Sequence, residues 1–276
     1  MSATAASPVL AHRVGGEGPP LLLLNGGMMS MSAWEPVARR LAERHRVIRC
    51  DFRGQLLSPG VPPVHMEGHA EDLVRLLDEL SIPRVDVVAA SFGAYVGLLL
   101  AALHPERVAS VLAATVTDAV DGSMGEGSDA LAAAVREAVA GGDRSKVYDH
   151  IVSIAYSSAW RESHREELAA RRAQMGFLPQ AWFAGLDGLL RALVAVDLKP
   201  YLPKVACPVL VLAAECDSAM PLARTEAVAR AIPGADLVVV PGSGHAVSVE
   251  KEDEFLQIAE RFLERAAREA RPADTR

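Results

Sequence analysis

Short aliphatic runs, each closed by turn-forming residues, recur along this 276-residue chain and restrict its fold more than any other feature. Leu21-Leu22-Leu23-Leu24 ends in Asn25-Gly26-Gly27. A run that short, bounded by Gly and Pro, reads as a strand buried on both faces. Residues 9–14, 46–50, 84–90, 108–116, 209–213 and 236–240 read as further strands. Between them the spacing turns helical over 32–43, with Trp34, Val37, Ala38 and Leu41 on one face, and over 65–80, with Leu73, Leu76, Leu77 and Leu80 inward. Residues 92–103, 222–231 and 251–267 complete the alternation. Strands alternating with helices predict an α/β fold, a mostly parallel sheet covered on both faces.

The rhythm breaks at residue 118. From there to 199 no convincing strand appears, and helical spacing is found over 131–140, 146–156, 163–175 and 179–196. The chain therefore divides into a core made of residues 1–117 and 200–276 and an inserted helical cap over 118–199. The cap is expected over the carboxyl ends of the strands, where such sheets place their sites. Residues 121–127, rich in Gly and acidic side chains, read as a flexible loop and a hinge for the cap. Residues 268–276 read as a frayed end.

Composition excludes several classes. Half the residues are hydrophobic, so the chain is not disordered. With 28 basic against 35 acidic side chains the net charge is −7, which argues against nucleic acid or an anionic membrane as partner. No apolar run reaches the ~18 residues of a membrane span, and the first residues lack a signal-peptide pattern. Cys50, Cys207 and Cys216 are expected to be reduced thiols of a cytoplasmic protein, Cys216 as a small buried residue. Nothing in the sequence speaks to oligomeric state.

The chemistry concentrates on three strand ends. Ser91 stands between a strand and a helix, flanked by Ala89 and Gly93, and a serine on that junction is exposed above the sheet in a tight turn. A serine hydroxyl needs a base. Of eight histidines, His245 alone follows a core strand on a Gly-rich loop, Gly242-Ser243-Gly244. The imidazole needs a third group to fix its tautomer, and Asp217, after the preceding strand, fits that role. Asp118 is the alternative acid; Glu215 is expected to point elsewhere on its turn. The order Ser91, Asp217, His245 is that of the α/β-hydrolase arrangement. An oxyanion needs donors. The Phe92 N–H is one candidate and the Gly27 N–H the other, with Met28 in its place if the register slips by one.

Taken together, residues 21–27 with Trp34, Asp51-Phe52-Arg53-Gly54 with Ser58, the Ser91 turn, Ala214-Glu215-Cys216-Asp217 and Gly242-Ser243-Gly244-His245 resemble the α/β-hydrolase superfamily over roughly residues 9–266. The spacing is similar to that of its small bacterial esterases, lactonases and cofactor-free haloperoxidases. Three positions depart from the usual pattern: Ala89 for Gly, Asn25 for His, and Gln55-Leu56-Leu57 for a Gly-containing stretch. The resemblance implies a serine hydrolase that needs no cofactor and acts on a small-molecule ester or lactone, most simply a carboxylesterase for small to medium apolar esters. Lactone or enol-lactone hydrolysis, C–C hydrolysis, perhydrolysis, lyase chemistry and a non-enzymatic receptor stay open as alternatives. Met28, Trp160, Trp182 and Phe183 are candidate pocket residues. His65 and His69, four apart, lack an evident third ligand, so no metal site is assigned.

Overall fold

The computed structural model describes residues 10–58, 60–120 and 126–270. Seven strands, β1 (His12–Gly15), β2 (Pro20–Leu24), β3 (Arg46–Cys50), β4 (Val85–Ala90), β5 (Val108–Ala114), β6 (Val209–Ala214) and β7 (Asp236–Val240), form one sheet in the order β1-β3-β2-β4-β5-β6-β7. All neighbours are parallel except β1, which runs antiparallel to β3. Strand side chains alternate between faces, so each aliphatic run feeds two cores. Leu22, Leu24, Val87, Ala89, Val111 and Val211 face one hydrophobic cluster. Leu21, Leu23, Val88, Leu112 and Leu212 face the other. Helices α2 (Met66–Glu79), α3 (Phe92–Leu103) and α9 (Leu222–Ala231) close the first cluster, and α1 (Glu35–Leu41) and α11 (Glu252–Glu269) the second. The two edge strands are less covered: β1 leaves Val14 exposed, and β7 leaves Leu237 and Val239 exposed.

Three adjacent strands, β4, β5 and β6, each finish in two alanines, Ala89-Ala90, Ala113-Ala114 and Ala213-Ala214. Between β5 and β6 the described residues form five α-helices: α4 (Glu126–Val139), α5 (Ser145–Ala155), α6 (Ser158–Ser163), α7 (Arg165–Gln174) and α8 (Gln180–Val194). They hold a third cluster around Leu131, Val135, Val147, Phe183 and Leu186. The two ends of this insertion meet where Ala119 bridges Asp197 and the Leu198 N–H donates to the Asp118 carbonyl at 2.7 Å. Among the described residues no helix is long and apolar enough to cross a membrane.

Several local expectations shift. The helix expected over 32–43 divides into a 3-10 turn, Met31–Trp34, and α1, because Pro36 has no N–H for a bond to Ser32 and sits instead in a first helical turn. Of the loop expected over 121–127, residues 121–125 lie outside the described residues, while Glu126 and Gly127 already belong to α4. The C-terminal helix continues to Glu269, and residues 271–276 lie outside the described residues. Two short helices, α6 and α10 (Val247–Glu250), span too few turns to show a period. Cys216 is exposed rather than buried: it lies on the turn beyond β6, past the buried strand end.

His69 on α2 is fully buried, edge-on to Phe52 and Phe92 with ring centroids 5.7 and 5.0 Å away. Among the described residues neither ring nitrogen has a hydrogen-bond partner in good geometry. Burial, and then the Arg53 guanidinium, push its pKa down to about 3, the Pro63 backbone opposing this only in part. The folded state therefore excludes a proton that the unfolded chain accepts below pH 6.5. Relative to His69→Leu, the wild type should lose up to about 1.4 kcal/mol of stability per pH unit as pH falls from that value. Urea unfolding of both proteins between pH 7 and 4 checks this; parallel curves would refute it.

Candidate active site

Ser91 is the single residue between β4 and α3, and its backbone is left-handed, with φ 51° and ψ −121°. Such a conformation costs a non-glycine residue about 1–3 kcal/mol and persists only where the surroundings impose it. Here they do. The Ser91 N–H donates to the Ala114 carbonyl at 2.9 Å, and its own carbonyl accepts from the Ala94 N–H at 2.7 Å. The first turn of α3 presses on the end of β2: a Cβ at Gly93 would lie 2.6 Å from the Leu24 carbonyl oxygen and 2.7 Å from that of Asn25. One turn on, a Cβ at Gly97 would lie 3.6 Å from the Ala89 methyl. Gly97 thus leaves room for the alanine that stands at 89.

The other two expected side chains meet each other. His245 Nδ1 and Asp217 Oδ2 are 2.8 Å apart, both residues buried. Asp217 is aimed by its own loop, its Oδ1 accepting from the Ala219 N–H at 2.9 Å and the Met220 N–H at 2.8 Å. Burial alone would lower the His245 pKa, but the Asp217 charge and hydrogen bond outweigh it and hold the value above the ordinary 6.5. With Nδ1–H given to Asp217, Nε2 is the nitrogen left to accept a proton. Asp118 is engaged elsewhere, receiving Arg224 at 2.7 Å with Lys199 at 3.6 Å. Glu215 accepts from the Gly242 N–H at 2.8 Å.

The turn after β2 lies against Ser91: a Cβ at Gly26 would be 3.7 Å from Ser91 Cβ, and one at Gly27 3.6 Å from Phe92 Cβ. The N–H groups of Gly27, Met28 and Phe92 have no acceptor among the described residues. Two of the sequence departures meet behind this turn. Asn25 Nδ2 lies 3.1 Å from Gln55 Oε1, and Gln55 Nε2 donates to the Gly26 carbonyl at 2.9 Å. Both side chains are buried, and their proximity across 30 residues has no signal in the sequence.

Ser91 and His245, with Met28, line two spaces. One is a cavity of about 70 Å³ walled by Met28, Leu131, Leu190, Leu193 and Met220. The other is an open cleft of about 580 Å³ lined by Gly27, Met28, Tyr156, Arg171 and Thr115 among others. Thr115 was not anticipated. It is a buried, β-branched residue with φ 52° and a hydroxyl that has no partner among the described residues, and its sequence context gives no hint of that backbone.

Met28 lines both spaces, but Trp160, Trp182 and Phe183 line neither. Trp160 stacks between Tyr156 and His164, with centroids 4.2 and 3.9 Å away. Phe183 is fully buried in the insertion's own core. Trp182 walls a separate crevice of about 550 Å³ between α8 and the segment carrying Gly54 and Pro62. The reason is axial distance. Trp182 and Phe183 occupy the first turn of α8, about 12 Å along the helix from Leu190, which does reach the cavity. The insertion is also fastened beside the histidine: the Ala246 N–H donates to the Ala155 carbonyl at 2.7 Å, and Glu250 accepts the Ser157 N–H and hydroxyl at 2.8 and 2.7 Å.

Comparison with known proteins agrees with this architecture. A family model described as alpha/beta hydrolase fold matches residues 19–252. A Variovorax paradoxus protein named as a carbamate hydrolase, RutD, is 30% identical over 93% of this chain and 96% of its own length. A pimeloyl-acyl-carrier-protein methyl ester esterase of Aeromonas hydrophila is 27% identical over 90% of this chain and 96% of its own. Among solved structures, an enol-lactonase from Burkholderia xenovorans superposes with a TM-score of 0.80 at 26% identity, covering 92% of this chain and 96% of that one.

Proposed function

The chain belongs to the α/β-hydrolase fold family, and within it we propose a serine carboxylesterase acting on small to medium apolar esters. The observation that carries this reading is the Asp217–His245 pair at 2.8 Å lining, with a strained Ser91, a small apolar cavity. In this mechanism Ser91 Oγ attacks the ester carbonyl as His245 Nε2 takes its proton. The negative charge that develops on the carbonyl oxygen is held by the Phe92 and Gly27 N–H groups. The tetrahedral intermediate collapses, the alkoxide leaves with the proton returned by His245, and the acyl group stays on Ser91. Water, activated by His245, then releases the acid. Asp217 holds the imidazole tautomer and stabilises the imidazolium. The insertion acts as a cap whose α4 and α8 side chains contact the substrate. A lactone would follow the same steps with its alcohol tethered to the acyl group.

A panel of p-nitrophenyl esters and lactones, run on wild type and Ser91→Ala, tests the reading. Ser91→Ala should lower kcat by at least about a thousandfold with the fold intact. A fluorophosphonate should label the wild type and not the variant. Activity retained in Ser91→Ala would end the proposal. His245 acts only when neutral, and its pKa lies above 6.5, so kcat/KM should rise with pH on a limb centred above that value. Asp217→Asn leaves burial unopposed; the limb should move to lower pH, and kcat should fall by roughly a thousandfold or more.

Chain-length preference follows from the cavity wall. Leu190→Ala opens space next to Ser91, so esters longer by one methylene should gain about fourfold in relative kcat/KM. Trp182→Ala, in the separate crevice, should leave the profile unchanged. The opposite pattern across a C2 to C8 series would move the acyl site to that crevice.

A further inference from the structure

We propose that Gln55 is a positioning residue that aims the Gly27 N–H at the reacting carbonyl, with Asn25 as its support; this rests on the serine-hydrolase reading above. The Gln55 carboxamide uses both its ends. Its Oε1 accepts from the Phe52 N–H at 2.8 Å and lies 3.1 Å from Asn25 Nδ2. Its Nε2 donates to the Gly26 carbonyl at 2.9 Å and faces the Gly27 carbonyl at 3.3 Å. Donors on one side and carbonyls on the other leave a single orientation for the amide.

That orientation fixes the turn. Among the described residues no peptide is cis, and in a trans peptide the C=O and N–H point in opposite directions. The Gly26 carbonyl and the Gly27 N–H share one peptide unit. Holding the oxygen against Gln55 therefore turns the N–H away from Gln55, where it has no acceptor among the described residues. The turn itself packs on Ser91 and Phe92. The Gly27 carbonyl, paired with the Met28 N–H in the next peptide, is held by the longer contact, so Gly27 is the better-fixed donor. A hydrogen bond accepted by the carbonyl also polarises its own N–H. Asn25 completes the arrangement from below, donating to the Cys50 carbonyl at 2.8 Å while supporting Gln55. Two of the departures from the usual sequence pattern, Asn25 and Gln55, thus form one device.

Gln55→Met keeps the length and removes every hydrogen bond. Gln55→Glu keeps an acceptor for Phe52 and Asn25 but sets an oxygen against the two carbonyls. Each should lower kcat by roughly 10- to 100-fold, less than or equal to the loss of an oxyanion donor, with KM changed by less than about threefold. The specific readout pairs an oxoester with its thionoester, whose sulfur accepts hydrogen bonds poorly: the oxoester-to-thionoester ratio of kcat/KM should fall roughly 10-fold or more in both variants, the Phe92 N–H retaining the rest. The pH limb set by His245 should stay in place. If Gln55→Met fails to fold by circular dichroism, Gln55→Glu decides. Equal losses on both substrates, or kcat within twofold of wild type, would refute the assignment while Ser91→Ala remained inactive. Turnover by Ser91→Ala would instead remove the reading on which it rests.

Discussion

Everything at the site depends on one backbone contact, the first turn of α3 laid on the carbonyl end of β2. At Gly93 the approach leaves no room for even a Cβ beside the Leu24 and Asn25 oxygens. To bring the helix that close, the chain must reverse within one residue after β4, which drives Ser91 into its left-handed conformation. The same reversal leaves the Phe92 N–H at a helix start with no intrahelical partner. It also sets the β2 turn against Ser91 and Phe92, so both oxyanion donors of the proposed mechanism and its nucleophile come from a single junction. Substituting Gly93 would disturb all three together.

The insertion is tied to this junction on two sides. At the histidine it is fastened through Ala155, Ser157 and Glu250. On the other side α8 meets the core backbone to backbone, since a Cβ at Gly185 would lie 1.9 Å from the Gly54 carbonyl oxygen. Gly54 immediately precedes Gln55. The wall of the cavity and the support of the β2 turn thus share a stretch of chain. Enclosure of the cavity and geometry beneath it are set by the same packing, rather than by a lid added to a finished site.

How much of this was legible can be argued residue by residue. The strands were readable because burial on both faces demands uninterrupted aliphatic residues, as at 21–24. The meeting of Asp217 and His245, and the place of Ser91, the proposed nucleophile, were legible because each stands just past such a strand. The chain order of the three then narrows the chemistry. The pocket side chains were not readable. An apolar stripe on a helix says that the face is covered, not by what, so Phe183 serves the insertion's own core while Leu190 reaches the cavity. Gln55 was visible only as an oddity. The Asn25 side chain it meets is 30 residues away, and the groups it holds in the β2 turn are backbone carbonyls, which leave no mark in a side-chain pattern. Thr115 was invisible for a related reason: tertiary packing, not local preference, imposes its backbone angle.

The alanine pairs that end β4, β5 and β6 have a consequence for how such a protein changes over generations. By withholding side-chain volume at three adjacent strand ends, the sheet leaves room above itself for the serine turn and the loops bearing Asp217 and His245. That room is defined by what is missing, so it needs no buried polar group to maintain it and no partner to be conserved with it. Ala90 lines the open cleft, whereas Ala89 and Ala113 lie wholly inside the core. A single added methyl group thus meets two different fates in neighbouring positions. At Ala90 it trims the substrate space; at Ala89 it meets α3 at Gly97 and strains the frame. Variation in what the protein accepts is therefore open to the residues facing the cleft, and closed to those one step below it.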